Sequence, residues 1–174
     1  KKTLSMLLAG AMLAAALTGC GSSASTGSDS ADNSTDSSAS GAAFKLGGTG
    51  PLTGAAAIYG NACKNGAQIA VDEINAEGGD IQFELNYQDD EHDAEKAVNA
   101  YNTLKDWGMQ LSLGSVTSKP CEATAAENYS DRIFALTPSA STVAVTADKD
   151  NVFQMCFVDP NQGTASAQYI AEQK

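Results

Sequence analysis

Residues 81–113 read IQFELNYQDDEHDAEKAVNAYNTLKDWGMQLSL, and this stretch decides the fold. Ile81, Phe83, Leu85 and Tyr87 alternate with polar neighbours, which is the period of a strand. From about residue 93 to 106 the period changes. Ala94, Ala97, Val98, Tyr101 and Leu104 now recur at helical spacing, and Gly108 closes the helix. Residues 109–113 are a second apolar run, short enough for another strand. A strand, a helix of more than ten residues and a strand make a crossover unit, and such units build parallel sheets.

The alternation continues in both directions. Upstream, residues 44–49 form a strand broken by Gly50-Pro51. Residues 58–75 then place Tyr59, Ala62, Cys63, Gly66, Ala67, Ala70, Val71 and Ile74 on one helical stripe, ended by Gly78-Gly79. Downstream come a helix over 121–129, strands over 133–136 and 152–157, and an amphipathic helix over 163–173. The expected fold class is therefore α/β, a doubly wound parallel sheet. Ligands of such sheets sit beyond the carboxyl ends of the strands, here the loops 48–57, 88–92, 114–121 and 137–142.

A chain of 174 residues allows one domain, or a domain with a tail. Ten basic residues face twenty-one acidic ones, a formal charge of −11 with no basic patch, which repels a phosphate backbone and excludes nucleic acid as a partner. The four cysteines (Cys20, Cys63, Cys121, Cys156) are too few for a disulfide scaffold and have no CxxC zinc spacing.

The first forty residues have a different character. Lys1-Lys2 precede an apolar run from Leu4 to Leu17, shorter than the roughly 20 residues of a membrane span and suited to an export signal. Leu17-Thr18-Gly19-Cys20 resembles the lipobox of bacterial lipoproteins. That likeness implies a diacylglycerol on the Cys20 thiol, cleavage before Cys20 and acylation of the new amino group, palmitate being among the acyl chains. Two or three such chains, at about 0.8 kcal/mol per buried methylene, would anchor the protein to the membrane. Removal of 1–19 takes both Lys1 and Lys2 and shifts the charge from −11 to −13. Residues 21–43 hold no aromatic, Leu, Ile, Val or cation, so nothing there offsets the entropy of ordering. The expected organisation is signal peptide 1–19, lipid-anchored Ser-rich tether 20–43 and ligand-binding lobe 44–174. The chain starts on Lys, not Met, and its last helix reaches Lys174 without a cap, so the lobe is expected to be truncated.

Several motifs compete for the loops. Gly48-Thr49-Gly50-Pro51-Leu52-Thr53-Gly54 has the spacing GxGxxxG with Pro51 in the turn, which favours a glycine-rich turn at backbone amides over a dinucleotide site. Asp89-Asp90-Glu91-His92-Asp93 suits helix capping better than a metal centre, since His92 is the only histidine. A serine hydrolase would need His92 beside a serine, and no spacing points to that pair. More informative are the hydroxyl loops Ser115-Val116-Thr117-Ser118 and Thr137-Pro138-Ser139-Ala140-Ser141-Thr142. Neutral donors at helix N-termini hold a carboxylate, and carbonyls between them accept from an ammonium, a combination that suits a zwitterion. Helix capping explains part of the same pattern.

Gly50-Pro51-Leu52-Thr53-Gly54, Tyr59-Gly60, Asn65-Gly66-Ala67, Asp72-Glu73-Ile74-Asn75 and Asp89-Asp90 carry a wider likeness, with Thr137-Pro138-Ser139-Ala140-Ser141 and Asp159-Pro160-Asn161-Gln162-Gly163. With these stretches the chain resembles the N-terminal lobe of type I periplasmic solute-binding proteins, in the Leu/Ile/Val-binding branch. The resemblance implies an incomplete lobe of a bilobal fold, no catalysis and no cofactor or metal. It implies an amino-acid ligand, an ABC permease as membrane partner, and a monomer at the outer face of the cytoplasmic membrane. By position it implies Ser118 offering hydroxyl and amide to the ligand carboxylate, Ser139 its carbonyl to the ammonium, Ser141 contacting one or both charged ends, Ala140 among the ligand-binding residues, and Tyr59 against the ligand side chain. The family commonly has Ala at the place of Ser139 and Thr at that of Ser141, changes that keep a backbone role and a hydroxyl. Thr117 replaces a cysteine of some relatives, and whether Cys121 and Cys156 pair instead stays open. An amino-acid or amide sensor on the same fold is the alternative expectation.

Overall fold

The computed structural model describes residues 43–173. The expected signal peptide, Cys20 and the tether up to residue 42 lie outside the described residues.

The elements in chain order are β1 (Phe44–Gly50), α1 (Ala57–Ala76), β2 (Phe83–Asp89), α2 (Ala94–Trp107), β3 (Leu111–Ser115), α3 (Ser118–Asp131), β4 (Phe134–Thr137), a short 3-10 turn (Val143–Val145), β5 (Val152–Gln154) and α4 (Asp159–Glu172). All strand pairs are parallel, in the order β2-β1-β3-β4-β5. After β2 the chain returns across β1 to β3, so the direction of winding reverses between β1 and β3. At such a reversal the loops part at the carboxyl ends and leave a crevice. The doubly wound expectation holds.

The stretch that opened the reading folds as its periods dictate. Asp93 caps α2, its Oδ1 accepting from the Lys96 amide at 2.9 Å. Gly108 ends the helix at φ 93°, a left-handed position that costs glycine little. Ala97, Tyr101 and Leu104 are buried, with Ala100, and Tyr101, Leu104 and Met109 form one core cluster. Burying a Leu-sized side chain contributes about 1.5–3 kcal/mol. A second cluster of Cys121, Ala125, Ala135, Ala140, Val145 and Val152 lies between α3, β4 and β5.

Several boundaries differ from expectation, β3 among them, which runs two residues later than 109–113. Pairing of Phe44 with Phe83 starts β2, which leaves Ile81 exposed. β5 stops at Gln154, because the Met155 amide turns to the Thr137 carbonyl (3.0 Å). α3 and α4 begin earlier, at Ser118 and Asp159, each with a proline (Pro120, Pro160) in its first turn, where a missing N–H costs nothing. The α1 stripe faces the sheet without filling it: Ala67, Ala70, Val71 and Ile74 line an apolar cleft against Leu46, Phe83 and Leu113, and of the stripe only Val71 is fully buried. No described helix is long and apolar enough to cross a membrane.

Candidate functional site

A pocket of about 340 Å³ opens at the carboxyl ends of the strands, beside the reversal. Tyr59 reaches it from the first turn of α1, His92 from the turn after β2, Val116 to Lys119 from the start of α3, and Ser139 from the loop after β4. Three of the five expected ligand residues, Tyr59, Ser118 and Ser139, thus meet in one place. Tyr59 was also placed on the α1 stripe, but it sits past the strand ends and is 62% exposed.

Ala140 and Ser141 are not among the residues lining this pocket. The Ala140 amide donates to Thr137 Oγ1 (3.2 Å), and its carbonyl accepts from Gln154 Nε2 (2.6 Å) and Cys156 Sγ (3.2 Å). The Ser141 carbonyl accepts from the Asp159 amide at 3.0 Å. Both residues therefore moor the loop to β5 and α4. Cys63, Cys121 and Cys156 are free thiols in this structure, and burial pushes the Cys121 thiol up.

Hydroxyls knit the loops together. Ser139 Oγ donates to the Val116 carbonyl at 2.9 Å, and Thr137 Oγ1 donates to the Ser115 carbonyl at 2.8 Å. Below them Ser115 Oγ is bonded to Thr49 Oγ1 and lies 3.2 Å from Thr124 Oγ1, all three residues being buried. Ser115 and Thr137 are thus scaffold rather than ligand groups. The Ser139 carbonyl accepts no hydrogen bond from the described residues.

The acidic turn divides its work. Asp89 accepts from the Leu52 amide (2.7 Å), Thr53 Oγ1 (2.6 Å) and the Glu91 amide (2.9 Å). Burial pushes its carboxyl upward, but these hydrogen bonds together outweigh it and hold the group below its ordinary range. Glu91 pairs with Lys96 (2.6 Å) and Asp93 caps α2, so capping and turn-making account for this turn. Asp90 is fully buried, with Oδ1 accepting from the His92 amide (3.0 Å) and Oδ2 without a partner. Burial, the largest influence, raises its carboxyl above the ordinary range against that hydrogen bond.

Four residues not named as ligand contacts line the pocket: Val116 and Thr117 of the first hydroxyl loop, and His92 and Lys119, which lie outside both loops. The signal for His92 was its place at a strand's carboxyl end, obscured by the capping acids around it. His92 Nδ1 lies 2.8 Å from Thr117 Oγ1, and Asp90 meets its backbone rather than its ring. This is not the relay of a serine hydrolase, in which the acid holds the imidazole and the imidazole a serine. Thr117 is the N-cap of α3 but makes no side-chain cap, so the first-turn amides of that helix have no side-chain acceptor. The lining therefore holds hydroxyls, two basic side chains, an uncapped helix start and no carboxylate. It suits an anionic group at one end and, at the free Ser139 carbonyl, a donor at the other.

The profile of the periplasmic binding protein family matches residues 43–174. The chain is 36% identical over 126 residues to the Leu/Ile/Val-binding protein BraC3 of Rhizobium johnstonii, covering 69% of this chain and 34% of that protein. Among solved structures it is similar to the branched-chain amino acid transporter substrate binding protein LivJ of Streptococcus pneumoniae in complex with isoleucine. There the TM-score is 0.64 at 31% identity, over 67% of this chain and 34% of that one. An ABC transporter substrate-binding protein of Desulfitobacterium hafniense in complex with Leu gives a TM-score of 0.66 at 25% identity, covering 75% of this chain and 39% of that one. The chain spans about a third of the length of the curated relatives it matches.

Proposed function

The chain belongs to the periplasmic binding protein family, and from that premise we propose that its gene product captures a branched-chain type amino acid outside the cytoplasm and delivers it to an ABC permease. The observation that carries this reading is the convergence of Tyr59, Ser118 and Ser139 on one pocket at the strand ends. BraC3, whose name gives Leu/Ile/Val binding, and LivJ, solved with isoleucine, support the ligand class.

In this reading the Ser118 hydroxyl and amide hold the ligand carboxylate, and the Ser139 carbonyl accepts from the ammonium. Tyr59 packs on the apolar side chain. Ser141 approaches the charged end from the same loop, whose shape Ala140 fixes. No bond is made or broken. Binding free energy closes this lobe against a second one, and the closed form is what the permease recognises.

The gene product is further read as a monomeric lipoprotein, cleaved after residue 19 and acylated on Cys20, held on the outer face of the cytoplasmic membrane by a serine-rich tether. Metabolic labelling with tritiated palmitate tests the anchor: label is expected in the wild type and absent from Cys20→Ala. Deletion of the gene tests the transport role. Saturable uptake of labelled leucine, isoleucine or valine is expected to fall, and unchanged uptake of all amino acids would contradict it.

A further inference from the structure

We propose that His92 is a positioning residue of the ligand site, tying Thr117 at the start of α3 to the turn after β2 so that the Ser118 hydroxyl and amide are held where the ligand carboxylate arrives. The proposal rests on the amino-acid reading above, in which Ser118 meets that carboxylate.

The geometry follows from three observations. First, His92 Nδ1 sits 2.8 Å from Thr117 Oγ1, which ties the turn after β2 to the turn before α3. Threonine is a favourable N-cap when its oxygen accepts from the helix's own amides. At Thr117 the oxygen is engaged by the imidazole, Pro120 at the third helical position has no N–H to offer it, and α3 begins without a side-chain cap. The amides of Ser118 and Lys119 are thereby left for an incoming anion; Pro120, next in the turn, has none. Second, His92 is anchored from below, its amide donating at 3.0 Å to Asp90, a fully buried carboxylate. Third, the backbone of His92 is left-handed, φ 63°, as is that of Glu91, φ 49°. Non-glycine residues adopt that region at a cost and persist there when their surroundings fix them.

The test is calorimetric titration of the whole gene product at neutral pH with L-leucine, then the other nineteen amino acids should leucine give no heat. His92→Asn is the variant of choice: asparagine tolerates the left-handed backbone but is too short to hold Thr117. His92→Asn is expected to bind about threefold to tenfold more weakly with its urea midpoint little changed. Thr117→Val in the His92→Asn background is expected to add little, because the two residues act as a unit. Wild-type affinity in His92→Asn, or a Thr117→Val effect that simply adds to it, overturns the role of His92 alone. Absence of heat with every amino acid in the wild type overturns the amino-acid reading and this role with it.

Discussion

Gly60 has no room for a side chain: a Cβ there would lie 2.0 Å from the Pro51 carbonyl oxygen, a backbone atom that cannot step aside. Gly60→Ala is expected to destabilise the fold by about 1–3 kcal/mol, read as a lowered urea midpoint, and to displace the neighbouring Tyr59. Asp90 gives a prediction of pH dependence. Its carboxyl is raised in the folded state, so the folded protein holds that proton more tightly than the unfolded chain. The charged form is therefore a liability at neutral pH, and the liability fades as pH falls through the raised value. Asp90→Asn is expected to be the more stable protein at pH 7, with the advantage vanishing toward the ordinary aspartate range. At the ligand itself, Ser118→Ala is expected to weaken amino-acid binding by about tenfold, the scale of one hydrogen bond to a charged group, with thermal stability unchanged. That Ser118 and Ser139 stand at the strand ends was legible because hydroxyls at strand ends before helices are a local pattern. His92 was not, because its partner Thr117 is 25 residues away and only the fold joins them.

Among the elements, α2 is the one whose sequence signals all agree. Its apolar spacing, the Asp93 cap and the left-handed Gly108 specify one helix, and its core residues are buried as the spacing predicts. Asp93→Ala is expected to cost about 1 kcal/mol in equilibrium unfolding. α4 is the opposite case. None of its residues is buried, and Tyr169 and Ile170 are exposed at 65% and 58%. In the 174-residue chain its amides are expected to exchange with deuterium far faster than those of α2, since protection follows burial. Equal protection would contradict the packing described. Its start was misplaced because Asp159-Pro160 was counted as loop, although proline is favourable in a first helical turn. The α1 stripe predicted the right face but not the packing. Ala67, Ala70 and Gly66 are too small to reach the sheet, and periodicity reports direction rather than volume.

For the molecule as a whole, the parallel order β2-β1-β3-β4-β5 turns a run of local patterns into one site. The α/β class was legible from alternating periods, and the position of the crevice followed from the carboxyl-end rule. Strand order, and hence which loops become neighbours, was not written in any single stretch. It emerges from crossovers whose handedness places α1 on one face of the sheet and α2 and α3 on the other. No carboxylate of the described residues lines the pocket, whose lining includes His92 and Lys119. In the proposed reading that separation lets an acidic protein take up the carboxylate of a zwitterion. The most direct measurement is calorimetric titration of the whole gene product with each of the twenty amino acids at neutral pH. The account predicts saturable one-to-one binding of leucine, isoleucine or valine, weakened in Ser118→Ala. Flat heats for all twenty would contradict it.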